Sequence, residues 1–212
     1  MALEVLDFEL PPIGTNAFVV VDRERAACVV VDAPLNAFST VESLLVRNGW
    51  TLEGLLLTHG HWDHTLDGHR FAAFGARIFG HEADRILFSE PQVMNAFAMP
   101  GIEMHPVAVT DWVKQGDCIE LLGRTVEARE VPGHCPGSLL FWFKDAGIAF
   151  PGDAVFRGSV GRYDLPGGDF AALEASIRRQ IYTLPDETRL YPGHGPPTTV
   201  AHERANNPFV RG

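Results

Sequence analysis

Short apolar runs alternate along this chain with glycine- and proline-marked breaks, and the breaks carry most of the reactive side chains. FVVVD at 18–22 and ACVVVD at 27–32 are apolar and β-branched, with the charged turn RER at 23–25 between them. Runs of this length and composition predict buried strands. Ser39 with Glu42 three residues later has capping-box spacing. Val41, Leu44 and Leu45 then make an apolar face and Gly49 supplies a stop, so a helix is expected there. TLEGLLLTH at 51–59 predicts a further strand, 63–73 a second helix, and ARIFG at 76–80 a short strand. The stretch 91–104 has no period. Met94, Phe97, Met99 and Met104 are interrupted by proline and glycine, which suits an apolar lid or groove wall as well as a loop that caps the core with methionine filling gaps.

The second half repeats this logic. Strands are expected at 125–133, 139–145, 147–153 and 188–195. Asp169 stands where it would cap a helix whose core face is Phe170, Leu173, Ile177, Ile181 and Leu184, and a last short helix is expected over 200–206. Four of the predicted strands end on a histidine or aspartate beside glycine: His59, His134, Asp153 and His194. Loops held at strand ends are where α/β proteins place their sites. Two sheets flanked by helices would bring these ends to one edge.

The run THGHWDH at 58–64 packs His59, His61, Asp63 and His64 into six residues. His59 and His61, two apart in an extended turn, can face one point, and Asp63 and His64, at the start of the next helix, can face a second point nearby. His134 in PGHCPGS would by itself read as a core histidine satisfied by the backbone; beside the other clusters it reads as a ligand. Asp153 in FPGDAVF has two oxygens with which to join two metals, and His194 in YPGHGP completes the second. Imidazole with carboxylate suits zinc, iron or manganese. Seven ligands exceed the four of one tetrahedral zinc, and a two-metal set points to hydrolysis by a metal-activated hydroxide.

Other residues have narrower claims. Asp32, at a strand end, could hold a ligand imidazole by its other nitrogen or simply form a turn. His69, just past the cluster, is a second candidate behind the ligands. His81 is expected to cap the following helix, and His105 and His202 lack ligand company. Cys135 reads as a buried structural thiol. Arg157 and Arg162 follow Asp153 closely and are the candidates for contacting a substrate carboxylate, with Arg162 also able to pair with Asp164.

Composition bounds the partners. The chain has 212 residues, 46% of them hydrophobic, enough for one large domain over 1–212 and too little for two comfortable ones. A formal net charge of −10 argues against nucleic acid or an anionic membrane surface as the main partner. Cys28, Cys118 and Cys135 do not form a disulfide framework. The start, MALEVLDFELPP, lacks a basic segment followed by a long apolar one, and no run approaches the ~18 apolar residues of a spanning helix. A cytoplasmic location is expected.

The motifs THGHWDH, PGHCPGS, PGDAVF, GSVGRYDLPGGD, YPGHGPPTT and HERANNPF together resemble the metallo-β-lactamase fold superfamily, and within it the short, single-domain glyoxalase II-like hydrolases. The resemblance runs from about residue 12 to 209. It implies an α/β fold, an αβ/βα sandwich of two mixed β-sheets with helices on the outer faces. It also implies two divalent metal ions, zinc first, with iron or manganese as alternatives. His59, His61 and His134 would hold one, Asp63, His64 and His194 the other, and Asp153 would bridge. Asp63 would orient the attacking hydroxide and receive its proton. The implied substrate is a small-molecule thioester, glutathione-derived in the family's S-lactoylglutathione hydrolases. The longer enzymes carry a C-terminal helical domain with basic groups for glutathione; this sequence ends at 212 without one, which weakens the glutathione expectation and leaves hydrolysis intact. Rival readings within the fold are a persulfide dioxygenase with one iron on His59, His134 and Asp153, and a lactonase or β-lactamase.

Overall fold

The computed structural model describes residues 3–212. The apolar runs form two six-stranded sheets. The first contains β1 (Glu4–Leu10), β2 (Thr15–Asp22), β3 (Ala27–Val31), β4 (Thr51–Leu56), β5 (Ile78–Gly80) and β6 (Asp111–Trp112), in that spatial order. Its first two pairings are antiparallel and its last three parallel. The second is built from β7 (Cys118–Leu121), β8 (Arg124–Glu130), β9 (Leu139–Phe143) and β10 (Ile148–Gly152). A small hairpin of β11 (Val155–Phe156) and β12 (Ser159–Val160) follows, and β13 (Arg189–Pro192) and β14 (Thr198–Thr199) return to the second sheet. Its one parallel pairing joins β10 to β13.

The helices are α1 (Ala37–Asn48), α2 (Trp62–Thr65), α3 (Gly68–Phe74), α4 (Arg85–Ser89), α5 (Phe170–Ser176) and α6 (Val200–Asn206). Strand alternation decides what they cover. Phe18, Val20, Val29 and Val31 point between the sheets and meet Phe141, Phe150 and Tyr191. Their neighbours Val19, Val21 and Val30 point outward onto Phe38 and Val41 of α1 and Phe71 of α3. On the far side Leu140, Trp142 and Leu190 pack on Leu173, Ile177, Ile181 and Val200. The layers are therefore helix, sheet, sheet, helix, the αβ/βα sandwich that the resemblance implies.

Two helix expectations need correction. Ser39 does not cap α1. The helix starts at Ala37 after Asn36 in a left-handed conformation, with no side-chain cap. Its first turn is held from a distance instead: Phe38 N–H donates to Asp67 Oδ2 at 2.9 Å. The helix expected over 63–73 is two helices, because Asp67 N–H donates to Ala33 O, which ties the chain between α2 and α3 to the loop after β3. Asp169 does cap α5, accepting from Ala172 N–H at 2.8 Å. The stretch 91–104 serves both readings: Met94 and Met104 bury against Trp62 and Leu66, and Met94 and Phe97 also wall the pocket below.

Candidate metal centre

β4, β8, β10 and β13 end on one edge of the sandwich, and the loops leaving them carry seven convergent His and Asp side chains. His59 Nε2, His61 Nδ1 and His134 Nε2 lie 2.9–3.2 Å from one another. Asp63 Oδ2 is 3.3 Å from His64 Nε2 and 3.2 Å from His194 Nε2. Asp153 stands between the two sets: Oδ1 is 3.4 Å from His64 Nε2, and Oδ2 is 3.6 Å from both His134 Nε2 and His194 Nε2. All seven are buried except His194, which faces the pocket.

The far side of each ring shows what the near side needs. His134 Nδ1–H donates to the Arg162 carbonyl at 2.6 Å and His194 Nδ1–H to the Gly14 carbonyl at 3.2 Å. Carbonyl oxygens only accept, so these tautomers place a bare lone pair on Nε2. Thr58 Oγ1 donates to Asp32, which leaves it to accept from His59 Nδ1–H at 3.1 Å. His59 and His134 thus aim two lone pairs at each other across 3.2 Å. His64 Nδ1–H is taken by Asp32 Oδ2 at 2.8 Å, and His64 Nε2 and Asp153 Oδ1 are buried without a hydrogen-bond partner. Buried acceptors facing one another are costly unless a cation lies between them. The donor set therefore fits two divalent cations.

Electrostatics differ across the site. Burial, reinforced by the neighbouring imidazoles, holds His59 well below the usual histidine range, and burial with His134 lowers His61 to about 3. Both stay neutral, the form a metal requires. Burial opposes charge on His64 too, but Asp63, Asp153 and Asp32 outweigh it and raise the ring well above its ordinary value. His194 is likewise raised against burial, by Asp63 and Asp153. Asp63 and Asp153 are depressed against their burial, chiefly by His64.

Several supporting groups escaped the sequence reading. Thr15 donates to Asp63 Oδ2 at 2.8 Å. Asp84, fully buried, accepts Gly60 N–H at 2.8 Å and Gly137 N–H at 2.6 Å, with the Cys135 thiol 3.1 Å from each of its oxygens. It clips the loop of His59 and His61 to the loop of His134. Gly193 lets the backbone pass close to the ligands, since a Cβ there would overlap Asp153 Oδ1 and sit 2.6 Å from His64 Cε1. Cys135 is a buried thiol bonded to Asp84, and His81 accepts from Ala83 N–H as a cap.

Two expected residues lie elsewhere. His69 packs tilted against His105 with centroids 4.4 Å apart and faces the Leu66 carbonyl, in a cavity separate from the metal ligands. α3 begins at Gly68, after the break at Asp67, so the ring does not follow α2 into the site. Arg157 lines a different cavity with Arg189 and His202, because the turn between β11 and β12 carries it away from Asp153. Arg162 does line the pocket, with its guanidinium paired to Asp164 at 2.8 and 2.9 Å. The pocket measures about 280 Å³, floored by His61, Asp63, His134, Asp153 and His194.

A sandwich of this topology with this ligand edge defines a class, and the chain belongs to it: the metallo-beta-lactamase superfamily, whose model matches residues 10–194. In this scaffold the clustered ligands make the chain a metal-dependent hydrolase. Among its relatives, the hydroxyacylglutathione hydrolase GloC of Haemophilus influenzae is 38% identical over 97% of this chain and 98% of that protein. The crystal structure of BLEG-1 B3 metallo-beta-lactamase is 30% identical, with a TM-score of 0.89 over 99% of this chain and 100% of that one. The structure of TTHA1623 in a di-iron-bound form is 35% identical, with a TM-score of 0.83 over 97% and 100%. No helix among the described residues is long and apolar enough to cross a membrane.

Proposed function

We propose that the chain hydrolyses small-molecule thioesters in the manner of a hydroxyacylglutathione hydrolase. The observation that carries this reading is the shared position of Asp153, whose Oδ2 lies 3.6 Å from one ring of each ligand set. The 38% identity to GloC over nearly the whole of both chains supports the thioester. His59, His61 and His134 would hold one cation, Asp63, His64 and His194 the other, and Asp153 would join them. Imidazole and carboxylate suit zinc, and the di-iron form of TTHA1623 supports iron as an alternative. Such a pair would supply a hydroxide at neutral pH and Lewis acidity toward a carbonyl.

The chain's own residues do the rest. Thr15 holds Asp63 through Oδ2, and Asp63 would orient the nucleophile and receive its proton. Trp62, Phe156 and Leu165 wall the pocket and exclude water from the carbonyl. A leaving thiolate has a conjugate acid pKa of about 8.5, so no strong general acid is needed.

Metal analysis with a thioester panel tests the reading. The expected result is two equivalents of metal and turnover of S-lactoylglutathione. Saturation at one iron, with inert thioesters and oxygen consumed on glutathione persulfide, would replace it with dioxygenase chemistry. The likeness to BLEG-1 favours a β-lactam as a second carbonyl for the same site, and a chromogenic cephalosporin in the panel reads it directly.

A further inference from the structure

The walls of the pocket say more about the substrate than its floor does. Ile13, Trp62, Met94, Phe97, Phe156 and Leu165 surround the ligands. Phe156 stands edge-on to the His194 ring, with centroids 5.9 Å apart, so apolar surface begins directly beside the metal site. Ile13 and Phe97 are 47% and 42% exposed. A single exposed apolar side chain is ordinary. These two share the rim of one pocket. The segment bearing Phe97 is anchored by Met94, buried on Trp62, Leu66 and Met104, so Phe97 is displayed by a packed support.

Cationic groups are scarce there. Arg162 is the one arginine or lysine lining the pocket among the described residues, and Asp164 takes both its Nε and Nη2. Arg157 belongs to another cavity. A glutathione moiety brings two carboxylates, and seating them against these apolar walls, where the one guanidinium is already paired, costs desolvation.

We infer that the site prefers thioesters with an apolar acyl group and a thiol that carries no carboxylate, and turns over glutathione thioesters less efficiently. This rests on the thioester reading above and names its substrate class. Phe97 is the specificity-determining residue, because it is the large exposed side chain on the anchored wall. Each methylene that reaches the wall should raise kcat/KM about fourfold.

The test uses the metal-loaded protein with acetyl, butyryl and hexanoyl thioesters of N-acetylcysteamine, which is neutral, and of glutathione. Alongside, calorimetry measures binding of the uncleavable thioethers S-hexyl-N-acetylcysteamine and S-hexylglutathione. The expected result is a kcat/KM that climbs with chain length and at least a tenfold preference for the neutral series, in rate and in binding. In Phe97→Ser the hexanoyl-to-acetyl ratio should fall at least fourfold. A ratio that is flat with chain length, or glutathione compounds preferred in both rate and binding, would overturn the inference. Loss of all thioester cleavage with two metals bound would strike the thioester reading alone, and the thioether affinities would still decide the character of the pocket.

Discussion

His59, His61 and His134 form an all-imidazole half of the centre, whereas Asp63, His64 and His194 sit among carboxylates. The first half is oriented by neutral acceptors, the Thr58 hydroxyl and the Arg162 carbonyl, and its two loops are clipped by Asp84. The second is oriented by Asp32 and Thr15, with Asp153 against it. His59 and His61 therefore stay neutral in one half, and the other already favours a positive charge where a cation would sit. Asp153 is the group both halves use.

The largest effect should come from removing what they share. Asp153→Asn takes a charge from both halves, so metal content should fall from two equivalents toward none and turnover by at least about a thousandfold. Elemental analysis after dialysis checks it; a variant that keeps both metals would show that Asp153 does not bridge.

Next come the two supporting carboxylates, which should separate the halves. Asp84→Asn turns an amide donor toward one of two backbone N–H groups and should loosen the all-imidazole half. Asp32→Asn should loosen the carboxylate half first, through His64, and reaches His59 only through the Thr58 hydroxyl. Each should weaken one of two metals by about 10–100-fold. The absorption of the cobalt-substituted protein distinguishes which ligand set remains. Identical spectra from the two variants would mean that the two halves are not separately supported.

Acid should act unequally as well. His64 and His194 have raised affinities for protons, so cation binding at their half must displace protons and weakens as pH falls below those raised values. His61 stays neutral down to about 3 and His59 is also lowered, so these two rings impose no such penalty near neutrality. Calorimetric zinc titrations between pH 8 and 6 should find the second equivalent weakening first and releasing more protons. The smallest effect belongs to His69→Ala, which should leave metal content unchanged and turnover within about twofold, since the ring packs on His105 in a separate cavity.

The halves also differed in how visible they were in the primary structure. The four ligands in THGHWDH can be read because they are local, a turn and the first turn of a helix presenting them within six residues; His134, Asp153 and His194 depended on the repeated pattern of an apolar strand ending beside glycine. Asp32 was legible as a candidate because it too stands at a strand end. Asp84 was not: it lies 24 residues from Gly60 and 53 from Gly137, in a stretch that reads only as the start of a helix. Thr15 is 48 residues from Asp63. The Arg162 carbonyl leaves no trace in residue type, since every residue has one.

Hydrophobic periodicity and strand-end chemistry determined the layers, the strands and the ligand list, because those depend on side-chain type and local spacing. The start of α1, the division of 63–73 into two helices, and the separation of His69 and Arg157 from the pocket were decided only by tertiary structure. Each turns on a hydrogen bond or a turn direction set between distant segments. The same holds for substrate selection: Ile13, Phe97 and Phe156 come from three distant segments, and only folding assembles them into one apolar wall above the metal ligands.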